Sequence, residues 1–308
     1  MAQQRSICSA ISARGVGIHS GETVLMKLSP ANIDTGVVFR RVDLPSKPEI
    51  LARASNVGET TLSTCLVKDG VRVATIEHLM AAIASLGIDN IIIDLTAAEV
   101  PIMDGSSAPF IFLLQSAGIV EQESYKKIIV VKKTVAVTGK DGAFCSFKPS
   151  KTPVYNLSMD FAHPHGAFCQ QNQKMCFNFS TNAFQNDLSR ARTFGFLREY
   201  EMLRKNNLAL GGGLNNAIVF NDFEVMNKDP LRFEDEPIRH KMLDAVGDLY
   251  LAGHAILAEF TGYKSGHMLN NKIVLALLAQ QDCWDKVCYS SVKKCAFPIS
   301  YASPIMAV

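Results

Sequence analysis

Apolar positions in this chain recur in two rhythms, every second residue in short stretches and every third or fourth in longer ones, as strands and helices require. Residues 5–12, 23–28 and 36–41 read as short strands, separated by turns at 15–17, 20–21 and 30–32. A small β-rich excursion follows at 51–54 and 60–67, and the turn Lys68-Asp69-Gly70 returns into residues 71–75. The period then changes. Residues 79–87 carry helical spacing, with Thr75 as the expected N-cap. The β-branched run at 91–95 is a buried strand, and residues 106–118 form a second helix ending at Gly118.

The polar stretch at 121–127 is the expected linker, because the pattern restarts after it. Residues 128–137, 143–147, 154–161 and 175–179 read as strands, and a helix begins near Ser180. A short helix at 199–205, a strand at 217–220, a helix at 236–253, a strand at 254–263 and a last helix at 268–281 complete the chain. Each half runs strands first and helices second. That order predicts an α+β fold of two similar domains, each a mostly antiparallel sheet layered with helices. The helices of the two domains are expected to pack together around the active site. The domains are placed at 1–125, with a small β insert near 50–75, and at 126–308.

Composition narrows the function. With 308 residues, 48% of them hydrophobic and 19% charged, the chain has ample core for one large domain or two ordinary ones. Net charge is 31 − 29 = +2, which argues against nucleic acid or an anionic membrane as partner. Eight cysteines include no C-x-x-C pair, so common structural zinc and thioredoxin-type motifs are excluded, and free thiols in a reducing compartment are expected. No secretory signal and no apolar run of about 20 residues appears, so a soluble cytoplasmic protein, monomeric and acting on a small molecule, is expected.

Candidate chemistry centres on residues 236–253. Acidic residues and Pro237 suit a helix start, where free N–H groups favour negative charge. Residues four apart share a face, so His240, Asp244 and Asp248 form one stripe, with Lys241 beside it. Two carboxylates and an imidazole on a helix rich in core residues are costly without compensation, and a metal ion would compensate them. A lone His-x3-Asp pair is more often a solvated pair, so the rest of the chain must decide. Glu77-His78 offers a third ligand and a carboxylate able to reach metal-activated water, or else a helix-start pair without function. His267, in a glycine-flanked turn, suits a general acid steered by Asp248, or else is an ordinary surface histidine. His163, His165, His19 and His254 read as loop histidines, and the glycines at 211–213 fit no phosphate-cradling motif.

Six ordered motifs turn these readings into a resemblance. They are Thr75-Ile76-Glu77-His78, residues 101–106 (PIMDGS), 189–196 (SRARTFGF), 231–236 (LRFEDE), 240–248 (HKMLDAVGD) and 264–267 (KSGH). Together they resemble the UDP-3-O-acyl-N-acetylglucosamine deacetylases, the metal hydrolases of the committed step in lipid A synthesis, over nearly the whole chain. The resemblance implies that His78, His240 and Asp244 bind zinc, with ferrous iron the alternative ion in the cell. It implies Glu77 as general base, His267 as general acid or electrostatic stabiliser oriented by Asp248, and Thr193 as oxyanion partner.

By the same resemblance, Lys241 and Phe194 contact substrate, and Asp160, Phe161 and Lys264 lie near the nucleotide and sugar. Leu62, Tyr200, Ala209, Gly213, Leu214 and Val219 line an acyl-chain passage, most of them from an insert near 195–225. One departure is that Ala143 stands where some members have a lysine near the diphosphate, which leaves that role to Lys140 or to no residue. Two rivals share parts of the pattern. A non-haem iron oxygenase would use the same two-His-one-carboxylate set, and a lipid-binding module would need the passage but not Glu77 or Thr193.

Overall fold

The computed structural model describes residues 2–159, 173–289 and 296–304. It is an α+β fold of two similar domains, and the similarity lies in topology. The first five-stranded sheet has the order Ile11–Val16, Thr23–Pro30, Ile91–Leu95, Val37–Arg41, Glu49–Leu51. The second has the order Val135–Thr138, Phe144–Lys148, Glu259–Tyr263, Val154–Ser158, Lys174–Asn178. In both, the central strand is antiparallel to one neighbour and parallel to the other, and the remaining pairs are antiparallel. The parallel pairing requires a long crossover, and in each half that crossover carries the helix that supplies the candidate chemistry.

Alternation builds the first sheet. In Thr23–Pro30, Val24, Met26 and Leu28 are buried while Thr23, Leu25 and Lys27 face out. Behind it, all ten residues of the helix Glu77–Leu86 are buried. That helix packs against the helix Glu236–Tyr250 of the other half, from Glu77 against Gly247 to Ile88 against Tyr250. Gly247 makes the approach possible. A Cβ there would lie 2.1 Å from the Glu77 carbonyl oxygen, so any side chain would force the helices apart.

Several expectations are corrected. Residues 5–12 hold parts of two strands, Gln3–Ile7 and Ile11–Val16. Residues 60–64 are a bend leading into Cys65–Lys68, not a strand, and Leu62 takes φ 61 there. The 121–127 stretch is not a linker. Residues 121–125 lie in Ile119–Tyr125, antiparallel to Gln3–Ile7, Lys127 opens Lys127–Val131, and Lys126 is buried between the two strands. The apolar runs at 128–137 and 254–263 each break in two, so that Lys127–Val131 pairs with Ala255–Leu257 and with Trp284–Cys288 in a separate sheet. The helix starting at Ser180 is one α-turn, capped by the Ser180 hydroxyl, that widens into a π-helix at Phe184–Leu188. Among the described residues no helix is long and apolar enough to cross a membrane.

Candidate metal centre and active site

The two buried helices begin differently, and each start is fixed by a buried carboxylate. Thr75 is not the N-cap. It sits at φ 58, and its hydroxyl donates to Glu99 Oε1 at 2.9 Å rather than to the helix. A β-branched residue in the left-handed region is strained, and Glu99 holds it there. The same carboxylate accepts the backbone N–H groups of His19 and Ser20, each at 2.9 Å. On the other helix, fully buried Glu236 accepts from the Arg192 backbone N–H and guanidinium and from the Arg232 N–H. The 191–193 segment is thereby tied to the helix that carries His240.

That tie has a direct effect on His240. Its Nδ1 donates to the Ala191 carbonyl at 3.0 Å, which leaves Nε2 with its lone pair facing Asp244. Asp244 Oδ1 lies 3.4 Å from His240 Nε2 and 3.5 Å from His78 Nε2. All three ligand groups are buried, and their donor atoms lie within 4.8 Å of one another. A tetrahedral ion with bonds of about 2.0–2.2 Å sets its donors about 3.3–3.6 Å apart, and the two separations from Asp244 to the imidazoles match that.

The electrostatics point the same way. Asp244 Oδ1 is buried and has no hydrogen-bond donor among the described residues. Burial alone would push its carboxyl up, but the neighbouring His240 and His78 imidazoles hold it below the ordinary range. Burial pushes His240 down to about 4, keeping it in the neutral form that binds metals. An anion enclosed by two imidazoles suits a divalent cation.

Beside these three groups lie a carboxyl and an imidazole whose surroundings prepare them differently. Glu77 is buried, which raises its carboxyl, while His267 and His78 pull it back. Its Oε2 accepts the Thr64 backbone N–H at 3.0 Å. His267 opens the helix His267–Ala279, and its Nδ1 meets Asp248 Oδ2 at 2.9 Å. Burial opposes charge on that ring, yet Asp248, then Glu77 and Asp244, outweigh it and hold the pKa up at about 9. At neutral pH, His267 carries a proton to give.

These groups open into one cavity of about 760 Å³. Glu77, His78, His240, Asp244 and His267 line it, as do Thr193, Phe194, Lys241 and Lys264. Leu62, Tyr200, Ala209, Gly213, Leu214 and Val219 line the same space. Lys140 and Ala143 border it too. Asp248 stands behind His267 and is buried. Asp160, Phe161, His163 and His165 lie outside the described residues.

His19 lies in a turn as expected, but it is partly buried and lines the cavity, and burial lowers its pKa. His254 is likewise partly buried, and burial takes it to about 4. The glycines at 211–213 have a packing reason: a Cβ on Gly211 would lie 2.2 Å from the Gly17 carbonyl oxygen, where the 195–225 segment docks on the His19 turn.

Four supporting residues escaped the sequence reading. Thr64 and Asn270 both donate to Asp248, at 2.6 and 2.9 Å. Asn270 was within reach of pattern reasoning, since it follows His267 by three positions on a helix. Thr64 was not, because its role depends on the bend at 60–64. Arg192 and Glu236 stood inside quoted motifs, but nothing in one sequence pairs them.

Comparison with known proteins agrees with this geometry. The profile of the UDP-3-O-acyl N-acetylglycosamine deacetylase family matches residues 4–279. A protein of Thioalkalivibrio sulfidiphilus named UDP-3-O-acyl-N-acetylglucosamine deacetylase is 53% identical over 307 residues, covering 100% of both chains. Proteins of the same name from Nitrosococcus oceani and Hahella chejuensis are each 52% identical over 307 residues, again covering 100% of both chains.

Proposed function

The chain belongs to the UDP-3-O-acyl N-acetylglycosamine deacetylase family, and on that premise we propose a residue-by-residue account of how it works. The enzyme is a metal-dependent amidohydrolase. It removes the acetyl group of UDP-3-O-acyl-N-acetylglucosamine in lipid A biosynthesis, giving acetate and the free 2-amino sugar nucleotide. The observation that carries the assignment of roles is the meeting of Glu77-His78 from one half with the His240–Asp244–Asp248 stripe from the other.

His78, His240 and Asp244 hold the ion, which we take to be zinc, with ferrous iron the alternative in the cell. Bound there, the ion supplies Lewis acidity, lowering the pKa of a water to about 7 and polarising the acetamide carbonyl. Glu77, with one oxygen held by Thr64, takes the water's proton with the other as the water oxygen attacks the carbonyl carbon. Negative charge then grows on the former carbonyl oxygen beside the Thr193 hydroxyl. The carbon–nitrogen bond breaks as His267, held by Asp248 through Nδ1, passes the proton on Nε2 to the departing amine. Lys241, next to His240 and facing the cavity, sets a cation beside the substrate.

The remaining assignments concern binding. Phe194 is assigned to substrate contact, and Lys264, Asp160 and Phe161 are assigned together to the nucleotide and sugar. The apolar stretch from Leu62 through Tyr200, Ala209, Gly213, Leu214 and Val219 takes the acyl chain, each buried CH2 contributing roughly 0.8 kcal/mol. Lys140, which lines the same cavity, is our choice for the diphosphate where Ala143 replaces a lysine, the alternative being that no residue takes that role. We divide the domains at 125/126. A site completed within one chain supports a monomer, and a nucleotide-linked substrate supports work in the cytoplasm.

The test is Glu77→Gln. Acetate release from the UDP-linked acyl sugar falls by at least about 100-fold while bound metal stays near one per chain. Full turnover by that variant would overturn the assignment.

A further inference from the structure

Thr64 sits between the base and the acid of this site, touching the base itself and the carboxylate that holds the acid. Its backbone N–H donates to Glu77 Oε2 at 3.0 Å, and its hydroxyl donates to Asp248 Oδ1 at 2.6 Å. Those two carboxylates belong to different domains, and Thr64 is 184 positions from Asp248 in sequence. We propose that Thr64 is a positioning residue that sets Glu77 and the Asp248–His267 pair in one fixed geometry, so that proton removal and proton delivery are aligned together. The proposal rests on the deacetylase reading above for what those protons do.

The geometry gives each bond a distinct consequence. A carboxylate with one oxygen fixed by a backbone donor presents the other oxygen in a single direction, which a base acting on one water needs. Asp248 Oδ1 is occupied by the Thr64 hydroxyl, so Oδ2 is left for His267 Nδ1 and for Asn270. Without the hydroxyl, the buried carboxylate has an unsatisfied oxygen and reason to rotate. Rotation would release His267 from its aim.

The backbone makes the arrangement rigid. Thr64 is buried, at 1% exposure, and ends the bend in which Leu62 adopts φ 61. Its own carbonyl accepts the Ile76 N–H at 3.4 Å, one residue before Glu77. A hydroxyl at this position is chemically costly to bury unless it bonds, and it makes one short bond to a carboxylate. Serine would keep that bond, while valine keeps the shape and loses it.

The test compares Thr64→Val with Thr64→Ser by steady-state kinetics, metal content and 15N NMR titration of the His267 ring. The groups facing that ring are Asp248, Glu77, Asp244, His78 and His19. In T64V, kcat is expected to fall about 10- to 100-fold with KM within about twofold and metal near one per chain. The His267 titration midpoint should move by about half a unit or more. T64S should return both to near wild type. In an Asp248→Asn background, T64V should cost less than about twofold further, because the two groups act as a unit.

If T64V does not accumulate folded, Thr64→Ala removes the hydroxyl without placing a methyl against Asp248 and is read in the same way. Unchanged kcat together with an unmoved His267 titration would overturn the proposal. So would a T64S variant as impaired as T64V. Absence of acetate release from the wild type would count against the deacetylase reading, whereas the NMR titration is made without substrate and still decides the role of Thr64.

Discussion

The two ends of the paired helices differ in how their buried carboxylates are partnered. At the end where Glu77 and His78 meet His240 and Asp244, a carboxylate oxygen and the His78 Nδ1 are enclosed without a hydrogen-bond partner among the described residues. At the far end, beyond Leu86, Lys126 donates to the Gly87 carbonyl at 2.6 Å and to the Asp89 carboxylate. Asp89 also accepts the Arg5 backbone N–H at 2.8 Å. The Tyr301 ring lies beneath both cations, 5.6 Å from the Arg5 guanidinium and 5.3 Å from the Lys126 ammonium. A Cβ on Gly87 would fall 2.8 Å from that ring, so the turn and the C-terminal segment are fitted to each other.

The difference separates what binds from what holds. Buried charge that finds its partners inside the protein closes a structure. Buried charge left open toward a cavity is available to a ligand. The two clusters lie at opposite ends of one pair of helices and both are buried, so burial alone would not have told them apart.

Four experiments probe that contrast. The largest effect is expected from Asp244→Ala, which removes one ligand: bound metal should fall well below one per chain and acetate release by at least about 1000-fold, the several kcal/mol a metal contributes. Retained metal and activity would mean that the open end is not the metal site. Next, Gly247→Ala should spread the helices and move the two half-sites, lowering kcat/KM by about 100-fold and the melting temperature by about 5 °C. A fully active G247A would show that the close approach is not what sets the site.

Third, activity should fall about tenfold between pH 8 and pH 10. His267 must be protonated to act, its pKa is raised to about 9, and the acid form is therefore kept below that pH and lost above it. A flat profile through pH 10 would argue against His267 as the acid. The smallest effect on catalysis is expected at the closed end. Lys126→Met strands the Asp89 carboxylate, costing about 3–5 kcal/mol and about 10 °C of melting temperature, while kcat at 25 °C stays within about twofold. Loss of turnover without loss of stability would reverse the contrast.

Much of the open end was legible in the sequence, and little of the closed end was. The His240–Asp244–Asp248 stripe follows from helical spacing, and Glu77-His78 opens a strongly apolar helix. The meeting of the two required only that two similar halves face each other. The closed end is built from Arg5, Asp89, Lys126 and Tyr301, which no period or spacing relates. The strand breaks were hidden for a related reason. Residues 128–137 and 254–263 read as continuous apolar runs, and which sheet each part joins is decided by its partner strands. The 121–127 stretch looked like a linker because it is polar, with Glu121 and Glu123 facing solvent, although Glu121 and Tyr125 pair with Arg5 and Gln3 and Lys126 is buried.

The division of the ligands between the halves has a thermodynamic consequence. An ion that bonds His78 on one side and His240 and Asp244 on the other binds fully only when the halves are docked. Its binding free energy is then also docking free energy, and it adds to stability as RT ln(1 + [M]/Kd), about 2.7 kcal/mol at a hundredfold excess over Kd. The free concentration of the metal thus becomes a variable of the fold. A cell that starves this protein of its ion slows the reaction and loosens the joint between its two halves at the same time.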